Sequence, residues 1–422
     1  HVKTNGYTMA QEFGQTLVVG GGPAGMMAAI QAAEGGRGKV VLLEGGAELG
    51  RKILISGNGR CNLLNVDGDD PSHYHGNQPR FVRPALMAFP VQETLRFFTE
   101  LGIETKQEKR GRLFPMSDQA RSVVDVLVDR LATAGVVVHT GARVDRLQQL
   151  ESGGFTVSTS DGARHEAEQV VVSSGGVSVP TLGADDSGMA LVEALGHTRT
   201  SLYPGLVALE SSDRWVRRMQ GVRAWARVQA QPGKATIVDT DDLLFTKYGV
   251  SGFTILNLSA RVVRHLREAG PLELTVALLP EHSTEAASEL LQQRWDRNPH
   301  RNLALSLAGL LHAKIARALL DKAGLDAEML VAAVTKRQRW ELAQLLTAWT
   351  IWVTGPRDFA HAEVTIGGIR TDEIDPHTLQ SYLVPGLHFA GEMVDVHGDL
   401  GGYNFQWAWS SGYLAGRQAT AR

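Results

Sequence analysis

The stretch Thr16-Leu17-Val18-Val19-Gly20-Gly21-Gly22-Pro23-Ala24-Gly25 limits the folds open to this chain more than any other. An apolar run enters a G-x-G-x-x-G turn at Gly20, Gly22 and Gly25, and small apolar residues follow at Ala28, Ala29, Ala32 and Ala33. This reads as strand, tight turn and helix. Gly20 allows the turn, Gly22 lets a pyrophosphate approach the backbone, and Gly25 lets the helix pack on the strand. Phosphate charge then meets a helix N-terminus, where free N–H groups and the dipole favour it. Pro23 and Ala24 line the same turn. A second apolar run, Lys39-Val40-Val41-Leu42-Leu43, ends at Glu44. That acid stands about 20 residues after the last glycine, where a ribose-hydroxyl acceptor belongs.

Gly50 to Asn65 is dense in Gly, Arg, Lys, Ser and Asn around a short Ile53-Leu54-Ile55. Taken alone it suits a surface hairpin. After a ribose acid it can offer backbone donors and cations to phosphates and a flavin edge. The polar stretch Asp67-Gly68-Asp69-Asp70-Pro71, with His73 and His75, reads as a solvated loop and not as a metal site. Residues 84–101, 117–134 and 186–196 show helical spacing, and 135–139, 153–161 and 164–173 read as strands. The strand Val170-Val171-Val172 ends in Ser173-Ser174-Gly175-Gly176, where backbone near Gly175 can approach a cofactor.

From about Gly196 the texture breaks into short alternating segments, with one helical stretch at 254–268. Residues 282–345 are rich in Leu, Ala and Arg at helical spacing. Beyond 349 the first texture returns. Gly367-Gly368 and Gly386 to Glu392 are strand-to-glycine turns, and Gly401-Gly402-Tyr403-Asn404-Phe405 opens a final helix. N–H groups at that second helix start suit the N1–C2=O edge of a flavin, stabilising the reduced ring.

Composition excludes several classes. At 422 residues two or three domains are expected. A formal charge of −3 without a long basic run argues against a nucleic-acid partner. The single cysteine, Cys61, rules out an intrachain disulfide and a C-x-x-C pair, and no metal site is expected. No apolar run approaches the ~18–20 residues that span a bilayer. A cytoplasmic protein without membrane contact is the expectation, either monomer or homodimer. Met9 reads as the native start, with His1–Thr8 as an appended leader.

Three blocks carry a family resemblance. Gly50-Arg51-Lys52-Ile53-Leu54 with Ser56-Gly57-Asn58-Gly59-Arg60-Cys61-Asn62 resembles the G-R-K-(ILV)-x-x-S-G-x-G-R-C-N signature of the HI0933-like family of FAD-dependent oxidoreductases. That family is also called the BaiN/RdsA or aminoacetone-oxidase type. The Gly367-Gly368 pair and the closing blocks Phe389 to Glu392 and Gly401 to Gly412 resemble the same family.

The resemblance implies an α/β fold: a discontinuous glutathione-reductase-type, Rossmann-like FAD-binding domain over 12–196 and 346–422. It implies a β-rich inserted domain over 197–281 and a helical subdomain over 282–345. By the same resemblance Glu44 holds the adenosine ribose and Val144 contacts the adenine through its backbone. Gly22, Pro23 and Ala24 line the pyrophosphate, and Arg51, Lys52, Ser56 and Gly57 wrap the phosphate and ribityl portion. Arg60, Cys61 and Asn62 complete that signature. Gly391, Glu392, Gly401, Gly402, Tyr403, Asn404 and Phe405 sit against the ribityl chain and the isoalloxazine.

The chain departs from the family in two places. In the insert Lys247 and Phe253 stand where F-T-H-x-G-x-S-G-P has His and Pro, and beyond the insert Thr378-Leu379-Gln380-Ser381-Tyr382 replaces T-M-E-S-K.

FAD carries the hydride chemistry, and the protein supplies position and electrostatics. Candidate catalytic residues are His397 as an acid or base, Lys247 and Tyr248 as a donor pair, and Cys61 as a thiol near the flavin. Trp407 and Trp409 read as core. Two enzymatic forms are open for a small organic substrate. One is an NAD(P)H-linked reductase of an activated C=C or C=O, with the nicotinamide docking transiently. The other is an amine oxidase using O2. A structural or redox-sensing flavoprotein is the alternative, and a tRNA-modifying flavoprotein is disfavoured by the charge.

Overall fold

Val40–Leu43, Leu17–Val19 and Val170–Val172 are continuous apolar runs, and every one of these side chains is buried. Strands apolar on both faces belong in the middle of a parallel sheet covered by helices. The computed structural model, which describes residues 12–36 and 38–420, places them there. The expected start at Met9 and its leader lie outside the described residues.

Strand β1 (Glu12–Val19) pairs in parallel with β2 (Val40–Glu44) on one side and with Arg164–Val172 on the other. Val137–Thr140 extends the sheet beyond β2. The first half of Arg164–Val172 continues into an antiparallel meander with Phe155–Thr159 and Val144–Gln149. Its last residues take Leu387–Phe389 as a parallel neighbour. Two parts of the chain far apart in sequence thus complete one seven-stranded sheet.

Helix α1 (Pro23–Glu34) and the closing helix Tyr403–Gln418 pack backbone to backbone. A Cβ on Gly412 would stand 2.4 Å from the carbonyl oxygen of Ala24, and one on Gly416 2.3 Å from that of Ala28. The small residues after the glycine turn therefore make room for the closing helix. The helical spacing over 84–101 resolves into two helices, Arg83–Ala88 and Val91–Glu100. They break at Phe89-Pro90, because proline disfavours helical geometry in the residue before it.

The chain divides into two compact units: residues up to Leu202 together with Val364 onward, and Tyr203–Glu363. The second unit holds its own seven-stranded antiparallel sheet. Phe253–Glu268 and the helices of 284–347 share one apolar core with that sheet. The β-rich part and the helical subdomain of the insert share that core. The return to the first unit falls at 364, later than the expected 346. Trp349–Val353 continues the insert's sheet against Leu272–Ala277, burying Trp349, Ile351 and Val353.

Candidate functional site

The glycine turn closes tightly at two points and stays open at one. Gly20 has φ +103°, and a Cβ there would stand 2.6 Å from the carbonyl oxygen of Ser173. A Cβ on Gly25 would stand 1.8 Å from the carbonyl oxygen of Gly20 and 2.6 Å from Ser173 Oγ. A Cβ on Gly22, the N-cap of α1, meets no atom within 4 Å. The same holds for Gly175 at the end of the neighbouring strand, which has φ +80°. Pro23 opens the helix where a missing N–H costs nothing. The amides of the first turn have no intrahelical partner.

Glu44 ends β2 with both carboxylate oxygens held. Gly21 N–H donates to Oε2 and Gly46 N–H to Oε1, each at 2.6 Å. Ala142 N–H donates to the Glu44 carbonyl at 2.9 Å, and Gly141 N–H to that of Gly46 at 2.8 Å. These bonds bring the turn before Val144 beside Glu44. Glu44→Gln puts an NH2 against one of the two amides. A loss of about 1–3 kcal/mol in urea unfolding is expected, together with weaker flavin retention. An unchanged urea midpoint and flavin content would show that these two bonds are dispensable.

The segment 50–62 is not a hairpin. It forms a helix, Arg51–Gly59, that leaves helical geometry at Ser56 and turns through left-handed Gly57 and Asn58. Ser56 Oγ donates to the Ile53 carbonyl at 2.8 Å. Lys52 Nζ donates to Glu392 Oε2 at 2.6 Å and to Ser178 Oγ at 2.8 Å. Glu392 Oε1 accepts from Thr365 N–H at 2.7 Å. Arg51 donates to the Leu182 carbonyl at 2.8 Å.

Arg60, grouped by its motif with these cations, faces elsewhere. It donates to Glu108 at 2.7 Å and to Asp118 at 3.4 Å, and its guanidinium lies 4.2 Å from the Phe114 ring centre. Cys61 is fully buried, and burial pushes its thiol up to about 12. It stays protonated at neutral pH, so the geometry offers no thiolate nucleophile. Asn62 Oδ1 and Ser174 Oγ are buried without a protein partner.

The closing segment is tied down from both ends. Gly402 caps the last helix with φ +107°, and a Cβ there would stand 2.5 Å from the carbonyl carbon of Leu64. Gly401 before it has φ +130°. Asn404 uses its amide internally, accepting from Gly398 N–H at 2.8 Å and donating to the Gly398 carbonyl at 3.0 Å. Phe405 stacks on Trp409 with ring centres 5.8 Å apart. The Asn404 and Phe405 side chains thus bond and pack within the protein. Gly391 N–H donates to Ser411 Oγ, and Trp407 Nε1 donates to the Gly391 carbonyl at 3.0 Å. Trp407 and Trp409 are core, as expected.

Sequence reasoning missed a cluster beside this helix start. His73 and His75 are not a solvated pair. Both reach Asp399, which is buried, and the His75 ring faces that of His397 at 5.5 Å. The H-x-H spacing at 73–75 and the D-x-H-x-D spacing at 395–399 were the available signal. Among the described residues no group of three or more His, Cys, Asp or Glu is placed to hold a metal ion.

Lys247 and Tyr248 lie in the Tyr203–Glu363 unit, on a turn closed by Thr246. Lys247 is exposed, and the Arg357 guanidinium lies 4.4 Å from the Tyr248 ring centre.

A serine–histidine–glutamate array also occurs. His197 lies 2.8 Å from Ser381 Oγ and 2.9 Å from Glu373. Ser381 Oγ already accepts from the amides of Leu383 and Val384, and both Ser381 and His197 are buried. With its lone pairs occupied, that hydroxyl is a brace and not a nucleophile.

No helix among the described residues is long and apolar enough to cross a membrane. The open backbone at Gly22 and Gly175, the fixed acid at Glu44 and the buried orphan oxygens fit a dinucleotide laid along the sheet's C-terminal edge.

The family described as HI0933-like protein Rossmann domain matches residues 14–418. The chain is 37% identical over 408 residues to a 3-dehydro-bile acid delta(4,6)-reductase of Clostridium scindens, covering 96% of this chain and 98% of that one. It is 32% identical over 408 residues, with the same coverage, to a ribosomal RNA dihydrouridine synthase of Escherichia coli. Among solved structures, a 3-ketosteroid delta1-dehydrogenase from Sterolibacterium denitrificans superposes with a TM-score of 0.52 at 11% identity. It covers 97% of this chain and 99% of that one, a likeness of fold. The chain belongs to the HI0933-like family of FAD-dependent oxidoreductases.

Proposed function

We propose that this protein is a reductase that uses FAD and a reduced nicotinamide to saturate a carbon–carbon double bond conjugated to a carbonyl in a small organic substrate. The observation that carries the reading is the full-length similarity to a bile-acid delta(4,6)-reductase. The second relative's name fits the same bond change, since dihydrouridine arises by saturating the C5=C6 bond of uracil, which is conjugated to a carbonyl. The bile-acid reductase is the more similar of the two, and the formal charge of −3 favours a small substrate over RNA.

Bound FAD supplies hydride chemistry. The residues divide the remaining work. Gly20, Gly22, Pro23, Ala24 and Gly25 present the start of α1 to the pyrophosphate. Each Glu44 oxygen holds one backbone amide and keeps lone-pair capacity for the ribose hydroxyls. The Lys52–Glu392 pair, with Ser56, Gly57, Asn62, Gly175 and Gly391 around it, frames the ribityl portion. The first-turn amides of Tyr403–Gln418 stabilise negative charge on the flavin's N1–C2=O edge. His397 is the acid candidate for the proton that saturation consumes.

The test is anaerobic titration of the FAD-loaded protein with NADH and NADPH, followed by steroid 4-en-3-ones and 4,6-dien-3-ones. Nicotinamide is expected to bleach the flavin and the enone to restore its colour. Bleaching by neither nicotinamide would overturn the reading, as would reduction by amines with recolouring only by O2. Recolouring by rRNA lacking dihydrouridine, and not by enones, would overturn the small-substrate part.

A further inference from the structure

Asp399 is a buried carboxylate that joins two imidazoles. Its Oδ2 lies 3.0 Å from His73 Nδ1, and its Oδ1 lies 2.7 Å from His75 Nε2. An ionised carboxylate only accepts, so each facing nitrogen carries the proton. The tautomers follow. Neutral His73 keeps its lone pair on Nε2, and neutral His75 keeps its lone pair on Nδ1. This is how a carboxylate orients a catalytic imidazole.

The backbone fixes the same arrangement. Asp399 N–H donates to the His73 carbonyl at 2.9 Å, and His75 pairs with His397 in a short antiparallel ladder. His73 stacks on Tyr403, the first residue of the closing helix, with ring centres 4.3 Å apart and planes 24° apart. The cluster therefore sits against the helix start assigned above to the flavin edge. The His73 and His75 side chains are 31% and 26% exposed, against 10% for Asp399. The carboxylate is sheltered while each imidazole keeps an edge that water can reach.

Charges around His73 act in one direction. Its hydrogen bond to Asp399 outweighs burial, and the charges of Asp399, Asp70 and Asp67 add to it, so its pKa is raised. Tyr403, facing it from the helix, has its phenol pushed up to about 12 by burial and stays neutral. Asp69 and Arg110 act on the adjoining Tyr74 and Tyr403, and His397 faces His75. His73 is therefore cationic below the ordinary histidine pKa of about 6.5 and for some distance above it, losing its proton only as pH rises through its raised value.

We propose that His73 and His75, oriented by Asp399, are the proton store of the reductase. They are positioning residues that hold and replace the proton taken up when the conjugated double bond is saturated. The proposal rests on the reductase reading above. In the step it serves, the C=C π bond breaks and hydride from the bound cofactor forms a C–H bond at the carbon β to the carbonyl. The released pair takes a proton at the α carbon. The two electrons come from NAD(P)H. The store gives up one proton, leaving a neutral imidazole, and refills from water at its exposed edge.

The test combines histidine 13Cε1 NMR titration of the FAD-loaded protein with the pH profile of flavin reoxidation by an enone in single turnover. Both are measured for wild type and Asp399→Asn. In wild type one histidine is expected to titrate above the ordinary range and to vanish in His73→Gln. Asp399→Asn should lower that pKa by on the order of one unit and move the alkaline fall of the reoxidation rate down with it. His73→Gln, a change at a side chain 31% exposed, should slow reoxidation on the order of 100-fold. An unmoved alkaline limb in Asp399→Asn, or wild-type reoxidation in His73→Gln, would overturn the proposal with the reductase reading intact. Wild-type flavin that no nicotinamide reduces would overturn the reductase reading instead, an outcome the histidine titration does not produce.

Discussion

Gly25→Ala is expected to prevent stable folding of the nucleotide-binding unit, whereas Gly22→Ala is expected to spare the fold and abolish flavin binding. Both change one hydrogen to a methyl group within the same turn. On helix propensity alone Gly25→Ala should gain about 1 kcal/mol, because Gly25 lies inside α1. The packing reverses that sign. The new Cβ would stand 1.8 Å from the carbonyl oxygen of Gly20, a backbone atom that no rotamer change can move aside. Relief requires α1 to shift off β1, which also breaks its close contact with the closing helix. A loss above about 3 kcal/mol is expected, at or beyond the upper end for overpacking.

At Gly22 a methyl group meets nothing within 4 Å and the backbone φ is −76°, so alanine fits the conformation. At an N-cap the change costs a few tenths of a kcal/mol to about 1 kcal/mol. The space it fills is the approach to the first-turn amides. Thermal unfolding of both variants, with the flavin-to-protein absorbance ratio, separates the effects. A Gly25→Ala protein with wild-type Tm and flavin content would refute the packing argument. A Gly22→Ala protein that keeps its flavin would refute the placement of the pyrophosphate.

Trp409→Ala is the second large effect, expected to cost about 3–5 kcal/mol in urea unfolding. The indole is fully buried in the closing helix, edge-on to Phe98 with ring centres 5.1 Å apart and stacked with Phe405. Its Nε1 donates to the Leu63 carbonyl at 3.0 Å, next to Leu64, against which Gly402 is packed. Alanine would leave a cavity and orphan that carbonyl together, and the second term alone costs about 1–3 kcal/mol. Trp409→Phe keeps the aromatic packing and loses only the bond, so it should lie between wild type and alanine. Flavin retention should fall in the same order, because the start of the helix is held through Leu63–Leu64. A loss below about 1 kcal/mol for Trp409→Ala would show that this helix is not anchored there.

Much of the nucleotide-binding unit was legible because its signals are local. Gly20, Gly22 and Gly25 encode one turn whose allowed geometry depends on neighbours a few residues away. The runs around β1, β2 and Arg164–Val172 show by their unbroken apolarity that they are buried on both faces. The closing block declared a second helix start for the same reason. What misled was motif membership used as a proxy for direction. Arg60 lies within a cofactor signature yet pairs with Glu108 and Asp118, because the left-handed turn at Gly57 and Asn58 redirects the chain before it. The boundary at 346 failed similarly, since Trp349–Val353 is apolar enough for either sheet and only pairing with Leu272–Ala277 assigns it.

The sequence by itself determined a glycine turn leaving a parallel sheet and membership among FAD-dependent oxidoreductases. Tertiary structure alone decided which charges meet: Lys52 with Glu392, and His73 and His75 with Asp399. The physical reason is range. Backbone conformation is governed by sterics between near neighbours and leaves its mark in spacing. An ion pair between residues more than 300 positions apart exists only once the sheet has brought both ends of the chain together, and no spacing records it.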